Sequence, residues 1–435
     1  MSCISVPKIL IPSKGVDSNK WAVIACDQFT SEPGYWEETN QYVGTAPSTL
    51  RITFPEVYLN QNNAEEITQN INQTMKQYIS DGILTELPEG FILTERFTGG
   101  EYARRGLMAA IDLEEYDYTV GSHSLVRPTE KTVVDRIPPR VNIRKHASIE
   151  VPHIMILIDD PNHTVIEPMF DKLDQLEQLY STDLMQNGGH INGWFIPKGE
   201  MTDHLIDAMD ALNDRETFNA KYHLTEDLPL LPFAVGDGNH SMATAKACWE
   251  QIKPTLTPEE QETHPARFAL CEIVNIHDKS LIIEPIQRVM FHVDAPALLA
   301  DAQVFFKEHG CTCVFNDETA ASNPHNHTIR YCYNHTLGMM TVIAPKWGIP
   351  HATLQTFLDD YLSQHPEANL DYIHGDDTVT ALGNQDGNIG FFLPQIEKND
   401  LFRGVIIDGV LPRKTFSMGE AHEKRYYMEC KKIVK

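Results

Sequence analysis

Asp237 and His240 flank one turn in the run Phe233-Ala234-Val235-Gly236-Asp237-Gly238-Asn239-His240-Ser241. A carboxylate and an imidazole held that close can bind a metal ion, orient a hydroxyl or move a proton. Gly236 and Gly238 open backbone dihedrals closed to other residues and let a ligand approach the main chain. The apolar stretch before them and the helix-forming stretch after them predict a strand, a tight loop and a helix. The unpaired N–H groups that open a helix attract an anion, so a phosphate fits this turn. Gly236, Gly238, Asn239 and Ser241 are the expected phosphate-binding positions. Asp237 and His240 are the expected catalytic pair, and Asp237 is also the metal candidate. Ordinary turn chemistry with a helix cap accounts for the same letters. The pattern is neither G-x-G-x-x-G nor G-x-x-x-x-G-K-[ST], so the dinucleotide fingerprint and the P-loop are both excluded as its explanation.

An anion site needs cations, and this chain is short of them: 35 Lys and Arg stand against 61 Asp and Glu, a net charge of −26. That balance repels nucleic acid and anionic membrane, and an anionic small molecule, the expected partner, needs a local exception to it. The stretch from Arg127 to His146 is a local exception, with Arg127, Lys131, Arg136, Arg140, Arg144 and Lys145 against only Glu130 and Asp135. Arg127, stiffened by Pro128, is the preferred anion contact because a guanidinium suits bidentate phosphate binding. Further along stand Arg288 and the cluster Leu411-Pro412-Arg413-Lys414-Thr415, which adds Lys414 and Thr415. His374 and Asp376 suit Mg²⁺ or acid–base work, and equally a helix cap with a first-turn acid. His190, in a glycine-rich turn, is a weaker candidate. The eight cysteines form no paired zinc knuckle and read as reduced thiols.

The elements that would position these groups alternate along the chain. Strands are expected at Trp21 to Cys26, Ile52 to Tyr58, Phe91 to Arg96, Gly106 to Asp112 and Ile154 to Asp159. The four-residue steps of Ile67, Ile71, Met75 and Ile79 predict an amphipathic helix. Helices are also expected over 170–184, 203–212 and 241–251, the last stopping before Pro254. Phe268 to Ile276 and Leu281 to Pro285 suggest a hairpin. The fold class is α+β, a mixed α/β chain. Its expected domains are a main α+β domain over 1–290, a smaller α+β lobe over 291–370, and a segment 371–435 returning to the main domain. No run approaches the ~20 apolar residues of a membrane span, and Pro7 and Lys8 interrupt Ile4 to Ile11, so a cytoplasmic protein is expected.

Asp237-Gly238-Asn239-His240-Ser241 is similar to the Asp-Gly-His-His-Arg motif of the family catalogued as domain of unknown function 1015. Three other segments resemble that family in the same order: His123-Ser124-Leu125-Val126-Arg127-Pro128-Thr129-Glu130, Glu284-Pro285-Ile286-Gln287-Arg288-Val289, and Leu411-Pro412-Arg413-Lys414-Thr415. Two positions depart from it, Ser241 where the family usually has Arg and Gln287 where it usually has His. The Asp-Gly-x-His element also resembles the ParB and sulfiredoxin superfamily, whose members bind nucleotides and include free-serine kinases. The resemblance implies a ParB/sulfiredoxin-like centre and a phosphotransferase that uses ATP or ADP with Mg²⁺ on a hydroxyl-bearing metabolite such as free serine. Arg127, Arg288 and Lys414 would offset the charge of the transferring group. A phosphatase of a phosphorylated metabolite and a non-catalytic nucleotide or phosphometabolite sensor stand as alternatives, and oligomeric state is open.

Overall fold

Aliphatic runs such as Phe91-Ile92-Leu93 and Leu107-Met108-Ala109-Ala110-Ile111 have no polar face to give to water, so they form strands buried on both sides. A computed structural model describes residues 3–59, 63–412 and 414–435. The chain divides into two units, Met1–Leu281 with Gly419–Lys435, and Ile282–Met418. Both mix strands and helices, as an α+β chain should. No helix is long and apolar enough to cross a membrane among the described residues.

The first unit is built on a ten-stranded sheet. Its strands in chain order are β1 (Ile4–Ser5), β2 (Lys8–Pro12), β3 (Leu84–Phe97), β4 (Arg104–Asp112), β5 (Val126–Pro128), then, after the short β6 (Ile149–Glu150), β7 (Met155–Ile158), β8 (Glu177–Leu184), β9 (Gly189–Pro197), β10 (Phe233–Asp237) and β11 (Phe268–Asn275). They lie in the order β5-β10-β7-β11-β4-β3-β9-β8, with β1 on β4 and β2 on β3. β6 instead pairs with the strand Lys431–Lys432. β10 runs parallel to β5 and antiparallel to β7. Its pairing with β7 skips Gly236: Val235 faces Ile156 and Asp237 faces Met155, a bulge at the end of the strand.

The expected helix over 63–79 is observed as Ala64–Ser80, with Ile71 and Met75 buried. Other expectations change. Trp21 ends a short helix, Ser18–Trp21, capped by Asp17. Residues 22–26 then run extended beside the C-terminal segment, with Ala25 N donating to Arg425 O and Tyr427 N to Val23 O. Residues 52–58 contain the 3-10 turn Glu56–Tyr58 rather than a strand. The region 170–184 is a 3-10 stretch followed by β8. The suggested hairpin after β11 does not form, because β4 and β7 already occupy both of its edges.

The second unit holds β12 (Ile283–Pro285), β13 (Gln287–Phe291), β14 (Thr312–Phe315), β15 (His327–Tyr333), β16 (Thr336–Ile343), β17 (Asn369–Ile373), β18 (Asn388–Phe392) and β19 (Phe416–Met418). Six form an antiparallel sheet in the order β14-β16-β15-β18-β13-β17, and β12 pairs with β19. Residues 371–418 therefore stay with this unit, since β13 takes both β17 and β18 as neighbours. The return to the first unit starts at Gly419 rather than at 371.

Candidate functional site

Gly238 sets the geometry of the site. It adopts φ +76° and is the N-cap of the helix Asn239–Ile252, and no side chain caps that helix. A Cβ at this position would stand 3.0 Å from Ile154 Cα, so glycine is required by conformation and by contact. The helix buries Met242, Ala245 and Trp249 in the main core. Its Ala243 and Cys248 pack with Ile137 and Val141 of the helix Ile137–Arg144. Packed on two sides, the helix presents its N–H groups at a fixed place at the end of β10.

Around that start, residues from four distant parts of the chain meet. Asp237 accepts from Gly238 N through Oδ1 at 2.8 Å, and its Oδ2 lies 3.2 Å from Lys424 Nζ. Ser241 Oγ shares a 3.0 Å hydrogen bond with His153 Nε2. The other ring nitrogen of His153 is 2.7 Å from Tyr427 Oη, which also accepts from Cys26 N at 3.0 Å. Asp27 Oδ2 stands 3.6 Å from His153 Nε2. Burial pushes the Asp27 carboxyl up, but His153, the amide of Gln28 and Lys424 together outweigh it and hold it below the usual carboxylate range. Asp27, Asp237 and Lys424 keep side-chain exposures of 29, 27 and 19 %, so a ligand can reach them.

His240 has a different partner. Its Nε2 accepts from Val133 N at 3.3 Å, which leaves the proton of a neutral ring on Nδ1. Burial, helped by Arg140 and Arg136, lowers its pKa to about 4. His240 is thus a neutral donor near pH 7, and it is not a base through Nε2.

The C-terminal segment that carries Lys424 and Tyr427 is anchored by buried charge. Arg96 donates to the carbonyls of His422, Glu423 and Lys424, and Arg104 to that of Glu423. Arg425 is clamped between Glu272 and Glu429. Glu272 is buried, yet Arg425, Arg104 and Thr94 bring its pKa down to about 2. Asp27, His153, Tyr427 and Lys424 were absent from the sequence-based candidates. The nearest signal was the apolar and aromatic run after Lys424, Tyr426-Tyr427-Met428, inside a charged C-terminus.

Several expected anion contacts are spent elsewhere. Arg127 is 3 % exposed and donates to the carbonyls of Ser122, Pro229 and Leu230. Those acceptors lie at or before the beginning of the strand pair, while the site lies at the end of β10, so Arg127 braces the sheet instead of facing the turn. Arg140 pairs with Glu56 and Arg144 with Glu150. His190 on β9 is held by Asp183, Ser181 and Asn192.

The remaining candidates belong to the second unit. Arg288 is buried, donates to Gln355 and to the Ile286 carbonyl, and stacks over Tyr372. Thr415 is buried and donates to Pro412 O, Lys414 is exposed with φ +60°, and Arg413 lies outside the described residues. Asp376 sits in the first turn of the helix Asp376–Gly383, accepting from Gln287 at 3.1 Å, and His374 is exposed. Asp376 is therefore a first-turn acid, while the N-cap is Gly375 and no side chain caps the helix. No cluster of three metal-ligating side chains occurs among the described residues.

Among solved structures, a free serine kinase variant in complex with AMP is similar at 10 % identity and TM-score 0.37, over 71 % of this chain and 90 % of that one. SbnI from Staphylococcus aureus is similar at 10 % identity and TM-score 0.36, over 75 % and 87 %. A conserved hypothetical protein from Pyrococcus furiosus gives 11 % and 0.33, over 70 % and 90 %. No curated protein matches. Residues 10–361 match the family described as protein of unknown function (DUF1015), and the chain belongs to it.

Proposed function

We propose that the first unit is a small-molecule phosphotransferase that takes a phosphoryl group from a nucleotide and gives it to a hydroxyl-bearing metabolite. One observation carries this reading: two carboxylates, a lysine, a histidine and a serine converge on an uncapped helix start led by a left-handed glycine. The N–H groups of Asn239, His240 and Ser241 would take phosphate oxygens, and Lys424 would offset their charge. His240 would donate through Nδ1. Ser241 and His153 would add hydrogen bonds beside the phosphate.

In the transfer, the metabolite oxygen forms a bond to the terminal phosphorus while the bond from that phosphorus to the bridging oxygen breaks. The electron pair leaves with the nucleoside diphosphate. The hydroxyl proton goes to Asp27, whose carboxylate is ionised at neutral pH and accessible. Mg²⁺, if bound with the nucleotide, would supply further charge neutralisation, and Asp237 would be the residue to hold it.

A thermal-shift series with ADP and ATP, with and without Mg²⁺, followed by ³¹P NMR with ATP and a set of hydroxy amino acids, tests the reading. A raised melting temperature and a new phosphomonoester signal are expected. Phosphate released from a phosphomonoester without nucleotide would replace it with the phosphatase reading. Stabilisation without product would replace it with the sensor reading, and no stabilisation by any phosphate compound would overturn it.

A further inference from the structure

A pocket of ≈ 150 Å³, partly open to solvent, lies in the first unit beside Ser241 and Thr244 of the helix Asn239–Ile252. Its walls are Phe54, Ile71, Met75, Ile143, Ala147 and Ile149, and its polar edge is formed by His153, Ser241, Tyr427 and Cys26. Three of these four belong to the hydrogen-bonded chain that joins Ser241 to Tyr427. The charges that reach the cavity are already matched, Arg140 with Glu56 and Arg144 with Glu150. An apolar cavity of about this size takes a benzene-sized guest.

We propose that this cavity is the substrate's specificity pocket, holding one compact apolar group, a single aromatic ring or a branched aliphatic chain, while the reacting polar end lies at Ser241 and His153. This inference rests on the phosphotransferase reading and narrows its substrate class. Its apolar walls suit a hydrocarbon group rather than a polar purine edge, so the pocket selects the acceptor and not the nucleotide base. A metabolite as small and polar as free serine leaves it unfilled.

The test compares inorganic phosphate, methyl phosphate, benzyl phosphate and benzene as ligands of the full chain, by calorimetry and thermal shift. Benzyl phosphate is expected to bind at least about tenfold more tightly than methyl phosphate, the worth of burying a ring. Benzene alone is expected to raise the melting temperature. Ala147→Phe, which fills the cavity, is expected to remove both effects and leave methyl phosphate binding intact. Met75→Trp serves the same purpose if the first variant does not fold. Equal affinity for the two esters with no effect of benzene overturns the pocket while leaving the phosphate turn standing. Binding of benzene with no binding of any phosphate overturns the phosphotransferase reading on which the inference rests.

Discussion

Replacing Gly238 with Ala attacks the site and the fold through one atom. The position has φ +76°, where an L side chain costs about 1–2 kcal/mol. The added Cβ would also lie 3.0 Å from Ile154 Cα, 3.3 Å from Ile154 Cγ1 and 3.4 Å from His153 Cδ2. The first of these is a backbone atom and cannot swing aside, so residues 153–154 must shift, an overpacking cost of about 1–3 kcal/mol. The sum is about 2–5 kcal/mol, and the shift falls on His153, which links Ser241 to Tyr427. Gly82 is the control, because it has φ +69° and nothing within 4 Å of an added Cβ. Gly82→Ala should cost only the conformational part. Urea denaturation of both variants, read as midpoint shifts at unchanged slope, separates the two contributions. The reasoning is refuted if Gly238→Ala is no more destabilising than Gly82→Ala.

Two further outcomes are expected. Arg127→Lys should destabilise the protein by about 1–3 kcal/mol, because three part-buried carbonyls lose a planar donor, while nucleotide affinity of the folded protein stays unchanged. A large affinity loss at equal stability would return Arg127 to the site. The pH dependence follows from His240, His327 and His351, whose folded pKa values lie near 4, 4 and 3, below the ordinary value of 6.5. The unfolded chain takes up protons first as pH falls below about 6.5, so stability is full above that value and declines toward pH 4. His240→Asn should flatten this decline in a melting-temperature series, and a decline confined to below pH 4 would contradict the assignment.

What was legible in the sequence was local structure. Paired glycines between an apolar and a helix-forming run are enough to place the β10 turn and the helix Asn239–Ile252, as four-residue spacing is enough for Ala64–Ser80. What escaped was long-range. Asp27, His153 and Lys424 are far from Asp237 in the chain, and only the pairing of 22–26 with 425–427 brings the first and last together. The same blindness misassigned Arg127: a basic residue beside a proline reads as a ligand contact, and nothing in its neighbours tells that carbonyls of a later loop will consume its donors. Buried charge had no signature either, since Glu272, Arg425 and Glu429 become a network only when β11 meets the C-terminal segment.

The most direct measurement is the affinity of ADP for the wild-type protein and for Lys424→Met, by isothermal titration at two salt concentrations. A lysine that meets phosphate is worth about 1.5–3 kcal/mol, so the variant should bind about ten- to a hundredfold more weakly and with a smaller salt dependence. ADP binding that is indifferent to Lys424, or no ADP binding by the wild-type protein, would contradict an anion site at the start of the Asn239 helix.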